Sequence, residues 1–337
     1  MENSNRLTYL DIAKGIGIIL VVFGHTLIPP LCAESGLVNG IHTFIYYFHM
    51  PLFFTISGII FEHNIEKYTN TRLFLNKKLL LLIVPYLVYS LISYIGINLC
   101  FRISSLASIL GSAGYQHTGI KDMILGILFY QNHIDNHLWF IYLLFFTFVL
   151  NILTKKHKLV SLIVSVVFFI VVIAFDLRSG YDILSYSFIL MFFSFGRYYV
   201  KIKPMKNIVF ALLLSAFIAA AVFCIIKKIS SWFNIIPLGF AGTMLVLETA
   251  RKLENKKTIV KALSFLSDYS YDIYLIHQPF IVSGVCGILF KLNMPTSLII
   301  IIGTVLGIGM PILISKLIIR KSKILSLLFL GREHKKG

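Results

Sequence analysis

Ten stretches of the chain stay apolar for most of a membrane's thickness, at approximately 10–28, 41–61, 79–99, 138–154, 159–175, 182–199, 207–226, 234–250, 271–290 and 297–319. About 20 mainly apolar residues make one helical crossing, and somewhat shorter stretches still qualify. The pattern predicts an all-α integral membrane protein, a bundle of about ten transmembrane helices. It fills residues 1–330 as a single domain, followed by a basic cytoplasmic tail at 331–337. The longest connection, about 100–137, contains "GIKDMILGILFY". That segment reads as a short helix, either dipping back into the membrane as part of a substrate lid or lying on the surface. Gly303, Gly307 and Gly309 include a small-xxx-small pattern, read as close packing inside the bundle rather than a dimer seam. The closing "RKSKILSLLFLGREHKKG" reads as an interfacial amphipathic end without chemistry.

Composition agrees with this. The 337 residues are 58% hydrophobic and 13% charged, with a mean hydropathy of +0.86. A soluble domain is about half apolar and a quarter charged. Lys14 interrupts the first apolar run and no Ala-x-Ala-like site follows, so no cleavable signal peptide is expected. The four cysteines (Cys32, Cys100, Cys224 and Cys286) are scattered, and no His/Cys cluster has ligand spacing, so no metal site is expected.

A net charge of +17 could suggest nucleic acid, but its placement decides otherwise. With the N-terminus in the cytoplasm, 25 of the 31 Lys and Arg fall on the cytoplasmic side. Only Arg102, Lys121, Arg178, Lys227, Lys228 and Lys291 fall outside. This positive-inside bias puts both termini in the cytoplasm. It makes membrane lipids, and not nucleic acid, the partner of the charge.

Against this background the polar residues inside spans stand out, because an ionisable group in the bilayer is costly and marks function by default. The first span holds Lys14 and His25. Eleven residues make about three helical turns, so both share one face about 16 Å apart along the axis. Asp11 falls on the same stripe and can pair with Lys14, while Gly15, Gly17 and Gly24 allow close approach. A buried neutral imidazole can take a proton from a hydroxyl; a packing hydrogen bond is the competing reading of His25.

Four further stretches carry polar groups. In "YYFHMPLFFTISGIIF", His49 and Ser57 flank Pro51, which removes a backbone hydrogen bond and kinks the helix near residue 47. In "NHLWFIYLLF", His137 and Trp139 lie at a span end, where an aromatic belt is the default for Trp139. In "SDYSYDIYLIHQPF", Asp272, Tyr274, His277 and Gln278 enter one span, kinked by Pro279, and predict a face lining the bundle interior. There His277 would sit only about 9 Å into its span, far below His25. In "TRLFLNKKLLLLIVPY", Arg72, Lys77 and Lys78 either anchor the cytoplasmic edge or hold phosphates of a cytosolic ligand.

With "YLDIAKGIGIILVVFGH", "FHMPLFFTISG", "HLWFIYLLF" and "YSYDIYLIHQPF" in this order, the sequence resembles the membrane acyltransferase type 3 family, bacterial O-acyltransferases that decorate surface glycans. The likeness runs from Arg6 to about residue 320. It implies a cytosolic acyl-CoA donor, a catalytic His25 and an acceptor on the outer side, with no permanently bound cofactor. The family often carries two arginines three apart before the "PY" of the third span; here Lys78 and Leu81 stand there. A lysine acts as a point charge, so a bidentate phosphate grip at that place is lost. The family's appended hydrolase-like domain does not follow, so transfer to the acceptor is expected directly or through a separate partner.

The resulting expectation is an O-acyltransferase of the plasma (inner) membrane. It moves an acyl group, most simply acetyl, from acyl-CoA to a hydroxyl of a cell-surface polysaccharide or its lipid-linked precursor. Lys14, with Lys78, Lys77 and Arg72, would meet donor phosphates. His25 would act as base or acyl carrier, supported by Asp11, His49, Ser57, His137, Trp139, Tyr274 and His277. Partners are acyl-CoA, the saccharide acceptor and lipids; a homo-oligomer is left open. The rival is a multi-span transporter or flippase of lipid-linked glycans, against which stands the lack of an internal repeat.

Overall fold

The computed structural model describes residues 7–112, 114–130, 135–177, 182–229 and 231–332. Arg6 and Arg178 of the charge count, and residues 333–337 of the basic tail, lie outside the described residues. Its helices are, in chain order, α1 (Thr8–Thr26), α2 (Pro29–Glu34), α3 (Gly36–Tyr46), α4 (His49–His63), α5 (Thr71–Lys78), α6 (Val84–Cys100), α7 (Ser104–Ser112), α8 (Ile120–Phe129) and α9 (Trp139–Leu153). They continue as α10 (Lys158–Ala174), α11 (Leu190–Tyr199), α12 (Asn207–Ile226), α13 (Trp232–Leu253), α14 (Lys257–Ile276), α15 (Val282–Lys291), α16 (Thr296–Leu317) and α17 (Lys323–Leu330). No strand occurs among the described residues.

Among the described residues, six helical stretches are long and apolar enough to cross a membrane: Thr8–Thr26, Gly36–His63, Thr71–Cys100, Asn207–Ile226, Trp232–Leu253 and Thr296–Lys321. Three more, α9, α10 and α15, are apolar but shorter. The all-helical class is therefore as expected, with six spans by this measure where the apolar pattern suggested ten.

Prolines decide where several apolar runs break. The kink expected near residue 47 is a full interruption: α3 ends at Tyr46, and α4 restarts at His49 with Pro51 in its first turn, where a missing N–H costs nothing. Between α5 and α6 the chain stays helical through one π-helical turn, Leu79–Ile83, just ahead of Pro85. The stretch 271–290, read as one kinked span, is two helices. Pro279 disfavours helical backbone at Gln278, so α14 ends at Ile276 and α15 begins at Val282. Upstream, α14 starts at Lys257, well before the apolar run.

α1 lies at the centre, packed against α4, α13, α14, α15 and α16. The tightest crossing joins α4 and α11 through glycines. A Cβ on Gly58 would come within 2.0 Å of the Phe193 carbonyl, and one on Gly196 within 2.2 Å of the Thr55 carbonyl. Gly303 and Gly307 face Thr26, Cys286, Val22 and Val282, so they pack α16 inside the bundle as expected.

Candidate active site

The stripe read on α1 survives folding. Lys14 lies 3.2 Å from Asp11, whose Oδ1 also accepts from Ser267 of α14 at 3.0 Å. One helical face thus ties the start of α1 to α14. About three turns on, the His25 ring points at three neighbours: His277 at 5.1 Å, Tyr46 at 6.3 Å and His137 at 6.4 Å between centroids.

His277 is the main departure from expectation. Its depth was reckoned from a span starting near residue 271, but α14 begins at Lys257 and holds 20 residues. At about 1.5 Å each, they carry His277 about 30 Å along the helix, against His25 rather than below it. The helix end also fixes its ring. Its Nδ1 lies 3.0 Å from the Ile273 carbonyl and 2.8 Å from that of Tyr274. A carbonyl can only accept, so Nδ1 carries the proton. The other nitrogen, Nε2, is buried and has no partner.

His137 is held differently. Its Nδ1 meets the Asp135 carboxylate at short range, its backbone carbonyl accepts from the Tyr274 hydroxyl, and its Nε2 is likewise buried without a partner. Asp135 is fully buried; its other oxygen accepts from Ser93 at 2.5 Å, and its backbone carbonyl from Tyr130 at 3.1 Å. Asp135 was not singled out in the sequence, since it lies before the first apolar residue of its span. Its only signal is the spacing i, i+2 to a histidine. Tyr46 was also missed; it stacks near His42, His49 and His25.

Two cavities lie beside this cluster; His25 and His137 line only the second, and His277 lines neither. One, about 280 Å³, is lined by Lys14, Ser57, Lys78, Tyr271, Arg332 and Tyr274 with a wall of Phe53, Phe140 and Phe148. The other, about 480 Å³, is lined by His25, His49, His137, Tyr274 and an aromatic set of Tyr46, Trp139, Tyr186 and Trp232. Tyr274 and Met50 belong to both walls. A smaller recess of about 210 Å³ adjoins His25 and His137 and reaches Tyr115 and Gln278.

The candidate residues therefore separate by place. Lys14, Ser57 and Lys78 line the first cavity, His25, His49, His137 and Trp139 the second, and Tyr274 both. Trp139 is buried and stacked on Tyr186 at 4.0 Å, an interior position instead of an aromatic belt. His49 turns its Nδ1 to the Ile45 carbonyl at 2.9 Å. The Lys78 ammonium sits over the Phe148 ring at 3.8 Å, a desolvated cation–π placement. Arg72 and Lys77 are exposed and line none of these cavities; on α5 only Lys78 shares the face of Phe74. The tail carries more than expected, because Arg332 reaches the first cavity. Among the described residues no three His, Cys, Asp or Glu side chains are placed to share a metal ion.

Helices that expose many large apolar residues, with six stretches among the described residues long and apolar enough to cross a membrane, are the marks of a membrane protein. The chain belongs to the acyltransferase type 3 family: the model described as an acyltransferase domain matches residues 7–316, nearly its whole length. It is thus a membrane acyltransferase. No curated protein and no solved structure matches it.

Proposed function

We propose that the protein transfers an acyl group, most simply acetyl, from cytosolic acyl-CoA to a hydroxyl of a cell-surface polysaccharide or its lipid-linked precursor. It sits in the plasma membrane with ten crossings and both termini in the cytoplasm, as the charge distribution favours. The observation carrying this reading is a pair of cavities that share Tyr274 and Met50 in their walls, one lined by Lys14 and Lys78, the other by His25, His137 and aromatic rings. Cations beside an apolar slot suit a phosphate-bearing donor with a thin acylated arm. Aromatic walls with imidazoles suit a saccharide.

In this reading Lys14, held by Asp11, and Lys78 meet the donor, and the thioester reaches the junction. The acceptor hydroxyl enters from the aromatic side and gives its proton to His25 as its oxygen attacks the thioester carbonyl. The tetrahedral intermediate then breaks its C–S bond, and the thiolate leaves with the proton from His25. The unpaired Nε2 atoms of His137 and His277 lie beside that centre. Each is a buried acceptor that a saccharide hydroxyl other than the attacking one can satisfy by donating to it. The test is thiol release from acetyl-CoA by the purified protein, together with labelled acetyl incorporation into envelope glycans of expressing cells. Both should vanish in a folded His25→Gln variant. Continued incorporation by that variant overturns the reading.

A further inference from the structure

The last described residue lies on the wall of the donor-side cavity, and its placement is built rather than incidental. Ser322 caps α17 by accepting from the Leu325 amide at 3.4 Å, and Leu330 is buried at the helix end. Gly331 then takes a left-handed conformation (φ 60°) and closes the helix, its amide donating to Leu327 at 3.0 Å while that of Arg332 reaches Ser326 at 3.2 Å. This is the usual glycine termination of a helix. Only glycine fits, because a Cβ there would lie 2.1 Å from the Leu80 carbonyl. The tail is therefore docked on the π-helical turn, and the direction of residue 332 is set.

The Arg332 side chain is held but not used up. Its guanidinium lies 5.5 Å from the Tyr271 ring centre and 3.9 Å from Asp272 Oδ1, too far for a hydrogen bond. Asp272 is satisfied at its other oxygen, by Arg320 at 2.8 Å and by Ser315. The Arg332 side chain remains 43% exposed on a cavity that also carries Lys14 and Lys78. Lys14 has Asp11 beside it, and the Lys78 ammonium rests on an aromatic ring. Three cations from three separate elements thus outnumber the carboxylates near them. Of the three, Arg332 alone presents a planar fork of donors, the geometry that grips a phosphate through two parallel bonds.

We propose that Arg332 is a ligand-binding residue of the donor-side cavity, delivered by the C-terminal helix to hold a phosphate of the anionic donor. This rests on the acyl-CoA reading for the identity of the donor, not for the presence of an anion subsite. It is tested by binding measurements on the full-length protein in a neutral detergent, with acetyl-CoA, S-acetylpantetheine (which lacks every phosphate) and inorganic pyrophosphate as probes. Arg332→Ala should weaken acetyl-CoA about tenfold and pyrophosphate comparably, and leave S-acetylpantetheine within about twofold. Arg332→Lys should recover part of the loss. Gly331→Ala, which prevents docking of the tail, should reproduce the Arg332→Ala pattern.

Unchanged acetyl-CoA affinity in a folded Arg332→Ala protein overturns the proposal. So does an equal loss for S-acetylpantetheine, which would mean a damaged cavity rather than a lost phosphate contact. Displacement of Arg332-dependent binding by phosphatidylglycerol but not by pyrophosphate assigns the arginine to a lipid headgroup and likewise overturns it. If wild-type protein binds pyrophosphate through Arg332 but not acetyl-CoA, the donor reading fails and the anion subsite stands. If it binds neither, both fail.

Discussion

Replacing Asp135 by Asn tests whether the buried carboxylate positions the reaction site. The change keeps shape and volume but removes the charge facing His137 Nδ1, and the amide can turn its NH2 toward that nitrogen. An imidazole facing a donor must present a lone pair there and carry its proton on Nε2 instead. The nitrogen now unpaired at the cavity wall would change from acceptor to donor. A hydrogen bond to a charged group contributes about 1.5–3 kcal/mol, and every 1.4 kcal/mol or so is tenfold. The expected loss is therefore about ten- to a hundredfold in kcat. Lys14 and Lys78 lie on the other cavity, so KM for acetyl-CoA should stay within about twofold. The assay is thiol release under saturating acetyl-CoA with an acceptor glycan, beside a thermal melt to establish folding. A folded Asp135→Asn enzyme turning over within threefold of wild type refutes the reasoning. So does an equal effect on KM, which would indicate distortion spread through the bundle.

Lys14→Ala should raise KM for acetyl-CoA about tenfold with little change in kcat, and Lys14→Arg should keep most of the affinity; donor titrations of both variants check this. Gly58→Ala should lower the unfolding midpoint, because its Cβ meets the Phe193 carbonyl at 2.0 Å and overpacking typically costs about 1–3 kcal/mol. Gly36→Ala, with nothing within 4 Å of its Cβ, is the control and should melt like wild type. Cysteines placed at Lys156 and Lys256 should resist an impermeant reagent applied to intact cells, whereas one at Ser35 should react. Labelling at Lys156 from outside would reverse the orientation.

Much of the arrangement was legible because the costly residues are local. Asp11, Lys14 and His25 share one helix, whose period fixes their face regardless of the rest of the fold. A kink near residue 47 followed from the chemistry of Pro51, though the helix there is fully interrupted. What could not be read were distances set by helices whose ends are not apolar. The part of α14 before residue 271, with Lys257, Lys261 and Asp268, was left out of the span by hydropathy but is helix; that error alone moved His277 from the neighbourhood of His25 to the wrong depth. Asp135 and Arg332 were invisible for a related reason. Each lies just beyond an apolar run, one before α9 and one after α17, and reaches its cavity only through tertiary packing.

The bundle holds two kinds of buried polar group, and their difference bears on which ones do chemistry. Arg197 is wholly buried but well matched: it donates to Glu62 at 2.9 Å, Asn151 at 3.1 Å, Ser161 at 3.3 Å and the Lys155 carbonyl at 2.9 Å. Such a network fastens α4, α9, α10 and α11 together and commits four of the five N–H donors to the protein. The histidine cluster is built the opposite way. His137 and His277 each commit one nitrogen to the protein and leave the other buried and unpaired, and both surround His25. An unsatisfied buried polar atom costs about 1–3 kcal/mol. The hydroxyls of Tyr89, Ser90 and Thr243 and one oxygen of Asp272 are also without a hydrogen bond; the hydroxyls are neutral rotors, and that oxygen faces Arg332 at 3.9 Å. Two orphaned imidazole nitrogens on rings that both neighbour His25 are harder to explain by packing, since apolar side chains of similar size would fill the space without the penalty. Substrate hydroxyls that donate one to each nitrogen remove the cost, and the site is then most stable with substrate in place.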